Sequence, residues 1–384
     1  MLFVSFVPLC ETIRASILFS KKSEFRSMMD FDFINHFVSV MSALFPEIFE
    51  RVFFSALPRN AKRLAAPSLP GAGAAFAAAA LAKRASSRLV FVVTPNLLEM
   101  ERVQGDLCAL GRESGAVPLV FPQQTDADPE AAGLRLRVLD VLKNISSDGR
   151  DAVATIITAP VGALLQPVPD PDAVQAAAVT LRVGAVVEFD ALVAKLVTAG
   201  YARVTDVDAP GQIAVRGGIL DVWPPAAAMP WRADFFGSEI ESLRTFDPMT
   251  QRSVAKGEAV WLPPCSEASL PTIYLPDLLP PQMAIIWLEH DRIAEAVRLQ
   301  PERNPLSWET FQQQIAARDP WLELYCGDPP PPQMPVFPLD IGILPGLAEL
   351  GSENAHHPEL LSNARKRLIN DFSRCADAGE QVIL

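Results

Sequence analysis

Short, wholly apolar runs alternate with amphipathic ones from Leu69 to Gln166. The spacing predicts an Ala-rich helix at 74–83, a strand at 89–94, a helix at 96–110, a strand at 117–121, a helix at 130–144 and a strand at 153–158. Such alternation implies a parallel sheet covered by helices. Pro167 to Pro171 breaks the pattern, and the segment up to about Ser253 reads as α+β, led by a helix at 190–199. After Pro264 the first pattern returns, with a strand at 284–288, a helix at 291–298, a Pro-rich connection at 329–338, a helix at 359–378 and a last strand at 381–384. The expected fold class is α/β, with an α+β domain inserted into the parallel-sheet domain.

At the front of the chain, Phe33, Ile34, Phe37, Val38, Met41, Leu44 and Phe45 recur at helical spacing, which reads as a core stripe rather than a membrane face. The run LFVSFVPLC before it is too short to span a bilayer, and no Lys or Arg precedes it as in a signal peptide. Residues 1–28 are therefore expected to be a disordered or mis-assigned extension, with initiation at Met28 or Met29. The last strand stops at the terminus, so the chain is expected to be the front part of something longer.

The stretch from Gly200 to Ser253 is the most specific. Gln212 to Arg216 alternates polar and apolar residues, Gly217-Gly218 tolerates positive φ, and Ile219 to Trp223 resumes the alternation: a hairpin with a primed two-residue turn. Trp231 to Phe236 reads as a third strand, Gly237-Ser238 as a tight turn, and Glu239 to Phe246 as a fourth strand closed by a type I turn at Asp247-Pro248. Alternation on the third strand puts Arg232, Asp234 and Phe236 on one face and Trp231, Ala233 and Phe235 on the other.

The pairing of AVRGGILDVWPP with WRADFFGSEIESLRTFDPMTQRS resembles the module shared by the excision-repair subunit UvrB and the N-terminal part of the bacterial transcription-repair coupling factor, Mfd. The likeness is sharpest over 187–264 and looser over 69–384. Thr250, Gln251 and Arg252, with the Leu-Pro-Pro at 262–264, are more like Mfd than UvrB. The resemblance implies a helicase-like parallel-sheet domain in two parts, 29–167 and 257–384, interrupted by an α+β domain at 168–256 that docks onto the repair protein UvrA. It also implies that Arg216, Arg232 and Phe236 are the contacts, since Arg and an exposed aromatic are usual hot-spot residues. In the family, RNA polymerase and double-stranded DNA are bound by further domains, which are absent from this stretch.

Composition agrees with a protein partner. The 384 residues carry a net charge of −12 and a sequence pI near 4.9, whereas gripping nucleic acid needs clustered Lys and Arg. Five widely spaced cysteines (Cys10, Cys108, Cys265, Cys326 and Cys375) make neither a zinc pattern nor a disulfide framework, and the expected compartment is the cytoplasm, with no membrane.

The phosphate-binding motifs of UvrB are degenerate here. A Walker A loop needs glycine-rich backbone followed by Lys and Ser or Thr, but Leu69 to Phe76 reads LPGAGAAF, so Gly71 and Gly73 remain without the lysine or the hydroxyl. The Walker B position reads AIIWLE, and Leu288 cannot hold magnesium. Tyr201, Tyr274 and Tyr325 do not cluster, so the DNA-clamping hairpin of UvrB is not expected. His36, His290, His356 and His357 have no ligand spacing, and Glu289-His290-Asp291 reads as the exposed end of a strand. No catalytic residue, cofactor or metal is expected.

The expected function is recruitment of UvrA in nucleotide-excision repair by a catalytically inactive module. The rivals are a divergent UvrB-like ATPase, a stand-alone UvrA-binding adaptor, or a decayed gene fragment. Residue by residue, Arg216 has an alternative partner in Asp221 across the hairpin, Phe236 an alternative place in the core, and Glu239 and Glu241 are possible partners of Arg232 or Arg244.

Overall fold

Strand segments in which every residue is buried form the centre of a parallel sheet, because helices cover both of its faces. The computed structural model describes residues 62–337 except 70–71, 85–87, 111–114, 125–127, 149–153, 269, 300–304 and 333, together with 2–3, 53–54, 57–58, 341–342 and 381–382. Gly71, Met28 and Met29, the stripe from Phe33 to Phe45, the helix expected at 359–378, and Cys10, Cys375, His36, His356 and His357 lie outside the described residues.

The sheet begins with β1 (Arg63–Ala66), α1 (Gly73–Arg84), β2 (Leu89–Thr94), α2 (Leu97–Leu110), β3 (Val117–Val120), α3 (Pro129–Asp148) and β4 (Thr155–Pro160). The chain leaves through α4 (Val161–Leu164), β5 (Pro167–Pro169), α5 (Pro171–Ala177) and β6 (Val179–Arg182). Then come α6 (Phe189–Thr198), β7 (Ala202–Arg203), β8 (Gln212–Arg216), β9 (Ile219–Val222), β10 (Trp231–Phe236), β11 (Glu239–Phe246) and β12 (Ser253–Gly257). It returns by β13 (Ala259–Leu262) and β14 (Thr272–Tyr274), and finishes the sheet with β15 (Ala284–Trp287), α7 (His290–Leu299), α8 (Trp308–Ala317) and β16 (Leu322–Cys326). The parallel sheet has the order β1-β16-β15-β2-β4-β3, and a second sheet has the order β12-β11-β10-β9-β8-β7, antiparallel except for β8 beside β7.

The fold is therefore α/β, helicase-like in its parallel sheet, with a separate mixed sheet inserted between β4 and β15. Successive residues of the buried strands serve opposite layers. Val90, Val92, Ile156, Ile286 and Leu324 pack with α1 and α2, while Leu89, Phe91, Val93, Ile157, Ile285 and Trp287 pack with α3 and α8. Ten consecutive buried residues from Gly73 to Ala82 let α1 sit close against the sheet, since alanine adds little width.

The insert has its own core, from Leu181 through Ile213, Leu220, Ala233 and Leu243 to Val260, Leu262 and Cys265. Its return strand β13 pairs with β6, so residues of its core extend past the expected limit at 256. Entry and exit are also tied together where β14 pairs with β5.

The chain crosses between the two units against the first half of α3. A Cβ on Gly133 would lie 2.5 Å from the Pro225 Cβ and 2.7 Å from the Ala226 nitrogen, so only glycine allows this approach of helix and insert. Two residues on, Arg135 is fully buried at the same joint. Its Nε donates to Glu267 Oε1 at 2.8 Å, and its other nitrogens donate to the carbonyls of Pro122 and Pro167, both at 3.1 Å.

The elements β1, α4, β5, α5, β6, β7, β12, β13, β14, α8 and β16 add to the expected pattern, and the expected type I turn at Asp247-Pro248 closes one residue later. There Gln251 N–H donates to the Asp247 carbonyl at 2.7 Å, with Gln251 at φ +59°. Leu2–Phe3, within the expected extension, lies in a small parallel sheet with Ile341–Gly342 and Gln381–Val382. Among the described residues no helix is long and apolar enough to cross a membrane.

Candidate functional site

Register decides which side chains of the insert share a face, because residues directly opposite in an antiparallel pair point to the same side. Gly217 at φ +59° opens the β8–β9 turn and Gly237 at φ +62° opens the β10–β11 turn, each with a positive φ at the first of two central residues, as in a type II′ turn. These turns set the pairs Arg216 with Ile219 and Phe236 with Glu239. The inner rows are Val215, Leu220, Ala233 and Leu243, then Ile213, Val222 and Trp231, all within or against the insert's core.

The outer rows hold all three candidate residues. One row is Arg216, Ile219, Asp234 and Ser242; the next is Ala214, Asp221, Arg232, Arg244 and Lys256. Phe236 continues the same face beyond Asp234, past a bulge in β11. The structure thus brings Arg216, Arg232 and Phe236 to one face, but in different states.

Phe236 is free, with 79% of its surface exposed, and it is not the core ring that its hydrophobicity allows. Arg216 is exposed at the hairpin end and pairs with Asp206, with a further hydrogen bond to the Thr205 carbonyl at 3.2 Å. The alternative pairing of Arg216 with Asp221 does not occur, because Asp221 lies one row further along the strand and is taken by Arg232.

Arg232 is the most constrained. It grips buried Asp221 with two hydrogen bonds, 2.6 Å from Nε and 2.8 Å from Nη2, donates to Gln251 Oε1 at 2.9 Å, and lies 4.4 Å above the buried Phe246 ring. Only 14% of its side chain is exposed. Hydrogen bonds to Asp221 raise its already high pKa, against the opposing effect of burial. Beside it, Arg244 pairs with Asp234. Burial alone would raise the Asp234 carboxyl, but hydrogen bonds from Ser242 and Arg244 outweigh it and hold the group below the usual carboxylate range. Glu239 and Glu241 are exposed and pair with no described residue, so they partner neither Arg232 nor Arg244.

The degenerate phosphate motifs do meet in space. Ser68, just before the loop, donates its hydroxyl to Glu289 Oε1 at 2.8 Å, and Glu289 sits at φ +53° between β15 and α7. Glu289 is half-buried rather than an exposed strand end, and His290 opens α7, with its Nδ1 3.2 Å from Asp291 Oδ1. Elsewhere, a cavity of about 560 Å³ opens beyond the carboxyl ends of β2, β3 and β4, lined among others by Asn96, Gln104, Gln123 and the acids Glu101, Asp128 and Glu130. Among the described residues no Lys or Arg lines it, so its chemistry does not suit a phosphate.

Residues 179–267 match the family model described as the UvrB interaction domain. The chain is similar over part of its length to transcription-repair-coupling factors. It is 30% identical over 204 residues to the transcription-repair-coupling factor of Bacillus subtilis, 31% over 191 residues to that of Escherichia coli, and 41% over 96 residues to that of Myxococcus xanthus. Those matches take in 52%, 48% and 25% of this chain, but only 17%, 15% and 8% of the relatives' own lengths. The chain therefore corresponds to a minor part of the proteins that it resembles.

Pattern reasoning did not find Asp206 as the partner of Arg216, Asp221 and Gln251 as the partners of Arg232, or Arg135 and Glu267 at the joint. A buried cross-strand ion pair leaves a weak signal in one sequence: Asp221 stands where alternation already allows a polar residue.

Proposed function

We propose that this chain is the UvrA-recruiting module of a transcription-repair coupling factor, acting in the cytoplasm in nucleotide-excision repair. The observation that carries the reading is the match of 179–267 to the UvrB interaction domain, whose outer sheet face carries an unburied aromatic, Phe236, with Arg216 on the same face. Arg216 and Phe236 contact UvrA directly. Arg232 stiffens the sheet behind them. An aromatic and a guanidinium on one face suit a partner that offers an apolar pocket and a carboxylate.

We propose an insert that runs from about 168 to 267, flanked by the two parts of the helicase-like domain, since Val260, Leu262 and Cys265 lie in the insert's core. Binding of RNA polymerase and double-stranded DNA belongs to other domains of the full-length relatives.

Recruitment is tested by titrating purified UvrA against the chain. Phe236→Ala is expected to weaken binding by about 2 kcal/mol, roughly 30-fold, while circular dichroism stays unchanged. If folded Phe236→Ala binds as tightly as wild type, the proposed face is wrong.

The module also turns over no ATP, in our reading. The loop Leu69 to Phe76 lacks the lysine that an ATPase needs, Leu288 stands where the magnesium ligand would be, and Glu289 is bonded to Ser68. Isothermal titration with Mg-ATP should give no saturable heat in the micromolar range. Measured hydrolysis above a blank, lost on Glu289→Ala, would favour the divergent ATPase.

A further inference from the structure

The segment from Val183 to Val187 adds to the edge of β11 that β12 leaves open. Gly184 N–H donates to the Ile240 carbonyl at 2.8 Å, Ile240 N–H to Ala185 at 2.9 Å, and Val187 N–H to Ser238 at 2.8 Å. Val186 and Glu239 are directly opposite in an antiparallel bridge. These hydrogen bonds flank the pair rather than join it, which is the narrow type of pair with the closer side chains.

Period-2 alternation then fixes where each side chain goes. Ala185 and Val187 turn inward against the insert's core, so Val186 points outward and is 73% exposed. Glu239 is in turn opposite Phe236. Val186, Glu239 and Phe236 therefore form one row on the outer face, with the two apolar side chains two strand spacings apart, about 10 Å. Glu239, between them, pairs with no described residue.

Single exposed apolar side chains need no explanation, but two in one row with an unpaired carboxylate between them make a patterned surface. Resting on the recruitment reading above, we propose that Val186 is a second apolar anchor for UvrA and Glu239 an electrostatic one. The face of UvrA that binds here carries two apolar recesses about 10 Å apart with a Lys or Arg between them. Phe236 fills one recess, Val186 the other, and Glu239 meets the cation.

The experiment is titration of UvrA against the full chain carrying Val186→Asp, Glu239→Lys, Phe236→Ala, or Leu299→Asp, the last a 72% exposed control on α7. Val186→Asp and Glu239→Lys are each expected to weaken binding about tenfold or more, and Leu299→Asp to leave it unchanged. If Phe236→Ala weakens binding while Val186→Asp or Glu239→Lys binds as wild type does, the row is wrong and recruitment through Phe236 stands. If wild type does not bind, the recruitment reading fails and this inference with it. Val186→Ser, which keeps a small side chain, serves as the second variant if circular dichroism shows that the aspartate disturbs the strand.

Discussion

Arg135→Ala is expected to destabilise the protein by about 3–5 kcal/mol, the usual cost of removing one partner from a buried ion pair. The guanidinium is fully buried, bonded to Glu267 and to the carbonyls of Pro122 and Pro167, and stacked 4.5 Å from the Phe121 ring. Its loss leaves the Glu267 carboxylate in apolar surroundings and two carbonyls without donors. Arg135→Lys should recover little, because a single ammonium cannot reach three acceptors spread around a planar fork.

The loss should depend on pH. Burial raises the Glu267 carboxyl above its ordinary range, with Arg135 pulling it back down. A carboxyl raised in the folded state stabilises it at low pH, and that contribution is lost as pH rises past the unfolded value toward and through the folded one. Without Arg135 the carboxyl rises further, so more is lost. The gap between wild type and variant should therefore widen from pH 5 to pH 8. Urea titrations at both pH values measure it, and an equal gap at both would mean that Glu267 is not the group left exposed to the loss.

Because Arg135 and Gly133 both lie on α3 and both meet the insert or its return path, the same contacts hold the candidate face in place relative to the parallel sheet. That relation between units was not legible in the sequence. The parallel sheet was, since the residues of β2, β4 and β15 are apolar almost throughout, which is what burial on two faces requires. The strand β16 hid itself by carrying Glu323. This carboxylate is nearly buried and accepts from Trp287 Nε1 at 3.1 Å and the Tyr325 hydroxyl at 2.8 Å, so a charged residue sits where the pattern asks for an apolar one. The short strand β1 pairs with β16, and it likewise opens on a charge, Arg63, which donates to the Tyr325 hydroxyl at 2.7 Å. For α8, only Trp308, Phe311 and Ile315 mark the apolar side amid a glutamine run, while the real start signal is Ser307, whose hydroxyl accepts from Thr310 N–H.

The candidate face was legible only in part, and for a definite reason. Alternation along β10 puts Arg232 and Phe236 on one side whatever the neighbouring strands do. Whether either is free depends on what stands opposite, and that is set by the register of β9 against β10 across the loop from Trp223 to Pro230. Tight turns announce their register in sequence; this loop does not. The resulting register places Asp221 under Arg232 and leaves nothing over Phe236.

Arg232→Ala is accordingly expected to act on folding first, costing about 3 kcal/mol, because it strips a nearly buried Asp221 of both charge-assisted hydrogen bonds and uncovers Phe246. Phe236→Ala, at an exposed position, should change stability by less than about 0.5 kcal/mol. The two residues share a face, but their losses should therefore separate: stability falls with Arg232, affinity for UvrA with Phe236. The double variant Arg232→Met with Asp221→Leu removes both charges together and should recover part of the stability, since no unpaired carboxylate then remains. Chemical denaturation of the four proteins, with UvrA titration at a temperature where each is folded, measures both quantities. An Arg232→Ala chain as stable as wild type but unable to bind would mean that Arg232 contacts the partner itself, and that the grip on Asp221 is incidental to the fold.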